Sequence, residues 1–85
     1  MDERKLLIRL ARGAVTNVAF ADLCGLAEGL GFELRRVSGS HHIFAHPSIP
    51  QLINLQSVRG QAKPYQVRQL MRLVERYDLR LEGKP

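Results

Sequence analysis

Apolar residues recur at helical spacing near both ends of the chain and at strand spacing between them. From Asp2 to Arg12, Leu6, Leu7, Leu10 and Ala11 share one helical side, acids occupy the first turn, and Gly13 stands at the natural stop. Phe20, Leu23, Cys24, Ala27 and Leu30 repeat in the same way, with Gly29 and Gly31 closing the pattern, so a second helix is expected from about 20 to 30. Cys24 then sits on an apolar face as a packed thiol, with no flanking cation to activate it.

At Phe32 the period changes. Phe32–Val37, His41–His46 and Gln51–Leu55 are short runs rich in β-branched, aromatic and aliphatic residues, separated by Ser38-Gly39-Ser40 and Pro47-Ser48-Ile49-Pro50. They predict three antiparallel strands in a meander. Ser57–Lys63 reads as a loop, and Pro64 suits the first turn of a last helix, on which Val67, Leu70, Met71, Val74 and Tyr77 form one stripe. The residues from Leu81 to Pro85 read as a frayed tail. The order α-α-β-β-β-α predicts an α+β fold, with helices packed on one face of a three-stranded antiparallel sheet. The other face is left for a partner.

Composition narrows what that partner is. Eighty-five residues and 9.6 kDa fit one domain over 1–85 and exclude a large multidomain enzyme. The net charge of +5 divides unevenly: Met1–Glu33 balance to −1 and Leu34–Pro85 to +6, so a polyanion would meet the second part. The plainer reading is a basic surface that keeps a small protein soluble. One cysteine excludes a disulfide framework and fits a reducing compartment, so a cytoplasmic location is expected. No apolar run approaches the roughly 18 residues of a membrane span, so no membrane partner is expected.

The chemistry-bearing residues are concentrated in Gly39-Ser40-His41-His42-Ile43-Phe44-Ala45-His46-Pro47, which holds all three histidines. Strand alternation puts His42 and His46 on the side of Phe44 and His41 on the other, although Ile43 and Phe44 are both plausible inward residues. The trio cannot converge on one ion, so no metal site and no cofactor are expected. An imidazole near neutrality can instead take a proton from a ribose 2′-hydroxyl or give one to a leaving oxygen. Gly39 lets the backbone approach a phosphate and the Ser40 hydroxyl can donate to one. The competing reading is a glycine that makes a hairpin turn beside a half-buried strand histidine.

Leu30-Gly31-Phe32-Glu33-Leu34 followed by that nonapeptide resembles the signature of the HicA toxins, the ribonuclease halves of HicAB toxin–antitoxin pairs. The similarity continues through Asn54-Leu55-Gln56 and Lys63-Pro64-Tyr65-Gln66-Val67-Arg68-Gln69 into the last helix. The resemblance implies a fold similar to double-stranded-RNA-binding domains, metal-independent cleavage of mRNA, and inhibition by a HicB-type antitoxin that covers the active site. It places the family's catalytic histidine on His41, with His42 as the alternative if the register slips by one, and the family's glycine on Gly39. The chain departs from many members in reading Ile53-Asn54-Leu55-Gln56 where they carry a Pro-x-His segment. It also carries an N-terminal helical extension, residues 1–18, for a partner or to cover the core.

Arg35, Arg36, Arg59 and Lys63 are the candidates for phosphate contacts around His41. Arg68, Arg72 and Arg76 form a basic row on the last helix, read either as a solvated face or as a surface for RNA or an acidic partner. Tyr65 can stack on a base or cover the core. Two readings compete with the ribonuclease: an RNA-binding module that does not cleave, and a protein that serves only a partner chain.

Overall fold

In the computed structural model, which describes residues 2–81, the helical periodicities become α1 (Glu3–Ala11), α2 (Phe20–Gly29) and α3 (Pro64–Arg76). The Asp2 carboxylate caps α1 by accepting from the Arg4 amide at 2.9 Å. Pro64 opens α3, where a missing N–H removes no helical bond. Leu6 and Leu10 of α1 are buried, whereas Ala11, expected on the same side, is exposed at the helix end. The first turn of α1 crosses the end of α2 so closely that a Cβ at Gly29 would meet the Glu3 carboxylate.

Four strands, β1 (Glu33–Ser38), β2 (His41–His46), β3 (Ile49–Val58) and β4 (Gln61–Ala62), form one antiparallel sheet in the order β1-β2-β3-β4. The expected count of three is therefore corrected to four. The stretch read as a loop turns at Arg59 (φ 54°) and Gly60 (φ 78°) and pairs Gln61 and Ala62 with Val58 and Ser57. Two positive φ values in a two-residue hairpin describe a type I′ turn, whose usual first residue is Asn, Asp or Gly rather than Arg. β4 is too short to show a period, and a distant segment holds it: Ala62 N–H donates to Val18 O and Phe20 N–H to Gly60 O, both at 2.9 Å. β3 is also longer than the expected Gln51–Leu55, extended by pairing with His46 at one end and with β4 at the other. Pro50 lies in the stretch that β4 does not reach, where a missing N–H costs no ladder bond on that side.

Phe44, Ile53 and Leu55 turn inward and join Leu23 and Leu26 of α2, Val67 and Leu70 of α3, and Leu6 and Leu10 of α1 in one core. Each of these is at most 2% exposed, so truncating any of them removes well-packed apolar contact. β1 extends past this helical cover: all six residues are exposed, leaving Leu34 and Val37 at 44% and 51%. On β3, Ile53 and Leu55 are buried while Leu52 and Asn54 are open, so the sheet has a packed face and an outer face. Among the described residues no helix is long and apolar enough to cross a membrane. The frayed-tail expectation falls, apart from the half-buried Leu81, outside the described residues.

Candidate functional site

The three histidines of β2 receive three different surroundings from strand alternation and register. His46, 9% exposed, is locked on both ring nitrogens: Nδ1 accepts from the Ser48 amide at 3.0 Å, so Nε2 carries the hydrogen and donates to Leu30 O at 3.1 Å. Phe32 packs its ring against the same imidazole, centroids 5.0 Å apart at 71°. His46 thus ties the start of β3 to the end of α2. His42 also points inward, against the edge of Phe20 at 4.8 Å, and its Nδ1 is buried without a hydrogen-bond partner among the described residues.

His41 faces the outer side. It pairs with Ser38 on β1 and Gln56 on β3, so these three share that face. Its Nδ1 lies 3.0 Å from the Asn54 amide nitrogen and 3.2 Å from the Asn54 amide oxygen. The two-residue turn before it has Gly39 at φ 59°, a sign that a side chain tolerates poorly, with Ser40 at negative φ, as in a type II′ hairpin. Ser40 O accepts from the Ser57 amide at 3.1 Å, which seats the turn on β3.

The proposed phosphate contacts divide along this geometry. A bulge falls between Leu34 and Arg36, which leaves Arg35 unpaired and sets Arg36 opposite Ile43, itself opposite Asn54; Arg36 therefore shares the outer face with His41. Arg59 occupies the β3–β4 turn, which the antiparallel order puts at the same end of the sheet as Gly39 and Ser40. Lys63 directly precedes α3, with its ammonium 6.0 Å from the ring centre of Tyr65. Tyr65 is 58% exposed, which removes the reading of it as a core lid.

Gln66 carries no local signal in the sequence, yet it builds this end of the molecule. It is 3% exposed, and its side-chain oxygen accepts from the Gln56 amide at 2.7 Å. β4 ends after two residues, so the backbone of β3 needs another acceptor there, and the first turn of α3 provides it. Asn54 stands out in the sequence only through the resemblance. An outward polar residue on β3 was legible, but its nearness to His41 depends on a register that local pattern does not set. α3 and α2 both begin at this end, so their N-terminal amides and positive dipole ends lie on the same side of the domain as His41.

Arg68, Arg72 and Arg76 run down α3 away from that end, Arg76 about 12 Å beyond Arg68 at the helical rise of roughly 1.5 Å per residue. A groove of about 590 Å³ lies between α1 and α3 over Leu10, Val15, Met71 and Leu79, with Arg68 and Arg72 on its wall. It contains none of the outer-face residues. Among the described residues no three His, Cys, Asp or Glu side chains come together as a metal ion needs.

A family model described as HicA toxin of bacterial toxin–antitoxin matches residues 20–75, about two thirds of the chain and all of the sheet. No curated protein and no solved structure matches.

Proposed function

Because the chain belongs to the HicA toxin family of bacterial toxin–antitoxin systems, we propose that it is a metal-independent ribonuclease that cleaves mRNA with His41 as general acid or base. The observation that carries this reading is the placement of His41. It is the histidine of β2 on the open face, held at Nδ1 by Asn54 beside the Gly39–Ser40 turn, while His42 and His46 point inward. With Nδ1 occupied, Nε2 is the ring atom left to meet substrate. It takes the proton of a ribose 2′-hydroxyl as that oxygen bonds to phosphorus and gives that proton to the 5′ oxygen as the bond from phosphorus to it breaks, leaving a 2′,3′-cyclic phosphate and a 5′-hydroxyl. Arg36, Arg59 and Lys63, with the Ser40 hydroxyl, hold the phosphate and offset its developing charge, and Arg35 at the bulge meets a neighbouring one. The glycine at position 39 lets the RNA backbone come close.

The fold supports the same reading. A sheet with helices on one face resembles double-stranded-RNA-binding domains, which meet RNA by shape and phosphate contacts. We read 20–75 as the family's core within a single domain over 1–85, and 1–18 as a helical extension, since the family match begins at Phe20. The toxin would act in the cytoplasm and be neutralised by a HicB-type antitoxin covering the His41 face, where Leu52, at 60% exposure, offers an apolar contact.

Purified protein incubated with a defined RNA, beside His41→Ala, tests the proposal. Cleavage should fall at least ~100-fold in the variant, the lower bound of a positioned proton-transfer group. Equal rates would overturn the role of His41, and loss of parent activity with chelator would overturn metal independence. Gln56 at the end of the segment where other members carry a second histidine favours one other reading, an RNA-binding module that does not cleave. That reading requires salt-sensitive binding and no products.

A further inference from the structure

We propose that Asn54 is a positioning residue that selects the Nδ1–H tautomer of His41, so that Nε2 faces the substrate as the working nitrogen. The inference rests on the reading of His41 as the proton-transfer group and adds the partner that orients it.

Asn54 and His41 stand on β3 and β2, the two inner strands of the sheet, with neither in a loop. Pairing sets His41 opposite Gln56 and Asn54 opposite Ile43, so the two are diagonal neighbours on the outer face, a separation that side chains of this length bridge. Both polar atoms of the amide lie within hydrogen-bond distance of Nδ1, the nitrogen at 3.0 Å and the oxygen at 3.2 Å. The resting geometry therefore admits two arrangements. In one, the amide N–H donates to a bare Nδ1, which forces the hydrogen onto Nε2 and leaves no lone pair to accept a substrate proton. In the other, Nδ1–H donates to the amide oxygen, and Nε2 presents its lone pair outward.

The second arrangement alone serves both halves of acid–base work. When Nε2 takes a proton the ring becomes imidazolium, and Nδ1–H continues to donate to the same oxygen without any group moving. When Nε2 gives the proton back, the bond is still in place. An acceptor behind the imidazole that orients it and sets its tautomer is the arrangement a general base needs, and an amide oxygen supplies it without a second charge beside the phosphate. His42 and His46 lack this arrangement: the first has no partner at Nδ1 among the described residues, and the second has both nitrogens taken.

The test compares Asn54→Leu and Asn54→Asp with the parent by nitrogen NMR of the His41 imidazole in the free protein and by RNA cleavage. Aspartate is an acceptor only, so it keeps the Nδ1–H form; leucine has no polar atom, so the ring reverts to the Nε2–H form that free histidine prefers in water. Asn54→Leu should move the His41 nitrogen resonances and slow cleavage roughly 10- to 100-fold, as loss of an orienting partner does. Asn54→Asp should restore the Nδ1–H form, with cleavage recovering only in part because its carboxylate puts a second charge beside the phosphate. Asn54 is exposed, so an unchanged backbone amide spectrum outside β2 and β3 checks the fold. Unchanged imidazole resonances in Asn54→Leu overturn the proposal whatever the cleavage rate, and so does Asn54→Asp behaving like Asn54→Leu. A parent that shows the Asn54-dependent tautomer but cleaves no RNA overturns the ribonuclease reading while the pairing of Asn54 with His41 stands.

Discussion

Replacing Gln66 by methionine isolates one hydrogen bond that joins α3 to the sheet. Methionine has nearly the same length, volume and helix propensity, so packing and helix stability change little. What is lost is the acceptor 2.7 Å from the Gln56 amide, at a position only 3% exposed to water. A donor left unpaired in such a place costs about 1–3 kcal/mol. The second contact of the side chain, from its amide nitrogen to the Tyr65 hydroxyl at 3.4 Å, is long and adds little. A domain of this length has a total stability of about 4–13 kcal/mol at the usual stability per residue, so the loss is a sizeable share. At about 4–8 °C per kcal/mol for domains of this size, Tm should fall by about 4–24 °C in thermal unfolding followed by circular dichroism. The Gln56 amide should also exchange with solvent faster than its neighbours do. Gln69→Met, at an exposed position on the same helix, serves as the control and should stay within about 0.5 kcal/mol. If Gln66→Met melts within 2 °C of that control, on the order of half a kcal/mol, the side chain is not what terminates the open edge of β3.

Three further outcomes follow from the same geometry. Burial and the nearby Glu28 carboxylate push the Cys24 thiol up to about 11 from 9.0. At pH 8 it should therefore alkylate far more slowly in the native protein than in urea, with the native rate rising about tenfold per pH unit toward 10; equal rates in both states would refute this. Because the folded state holds that proton more tightly, the contribution to stability is complete below about pH 9 and shrinks as pH rises through 9 toward 11. Gly39→Ala places a Cβ where no atom lies within 4 Å but at φ +59°, so backbone strain of about 1–2 kcal/mol is the whole cost, read as a lower Tm; no change in Tm would mean that the turn relaxes freely. Arg36→Glu should weaken RNA binding several-fold more than Arg76→Glu, since Arg36 shares the His41 face and Arg76 lies at the far end of α3; equal losses in a salt-matched titration would instead spread the RNA surface along the helix.

Much of this protein is legible without tertiary contacts. Helical spacing of apolar residues located α2 and α3 to within a residue or two, and the leucines of α1 were correctly turned toward the core. Strand alternation alone separated His41 from His42 and His46, because adjacent strand residues must face opposite sides. The run from Gly31 to Pro47 pointed to the family that the match over 20–75 establishes. These features depend on residues within one turn or one strand of each other. What local pattern could not supply was anything that depends on two distant segments meeting. β4 exists because Val18 bonds to it, and Phe20 to the turn before it, from forty or more residues away, across an Arg-Gly turn without the usual hairpin signature. Gln66 is buried because β4 stops short and β3 needs an acceptor. Asn54 stands against His41 because the β2–β3 register sets them diagonal on one face, and a slip of one residue would turn that amide into the core. Periodicity determines which way a side chain faces, but the packing of separate segments determines what it meets there.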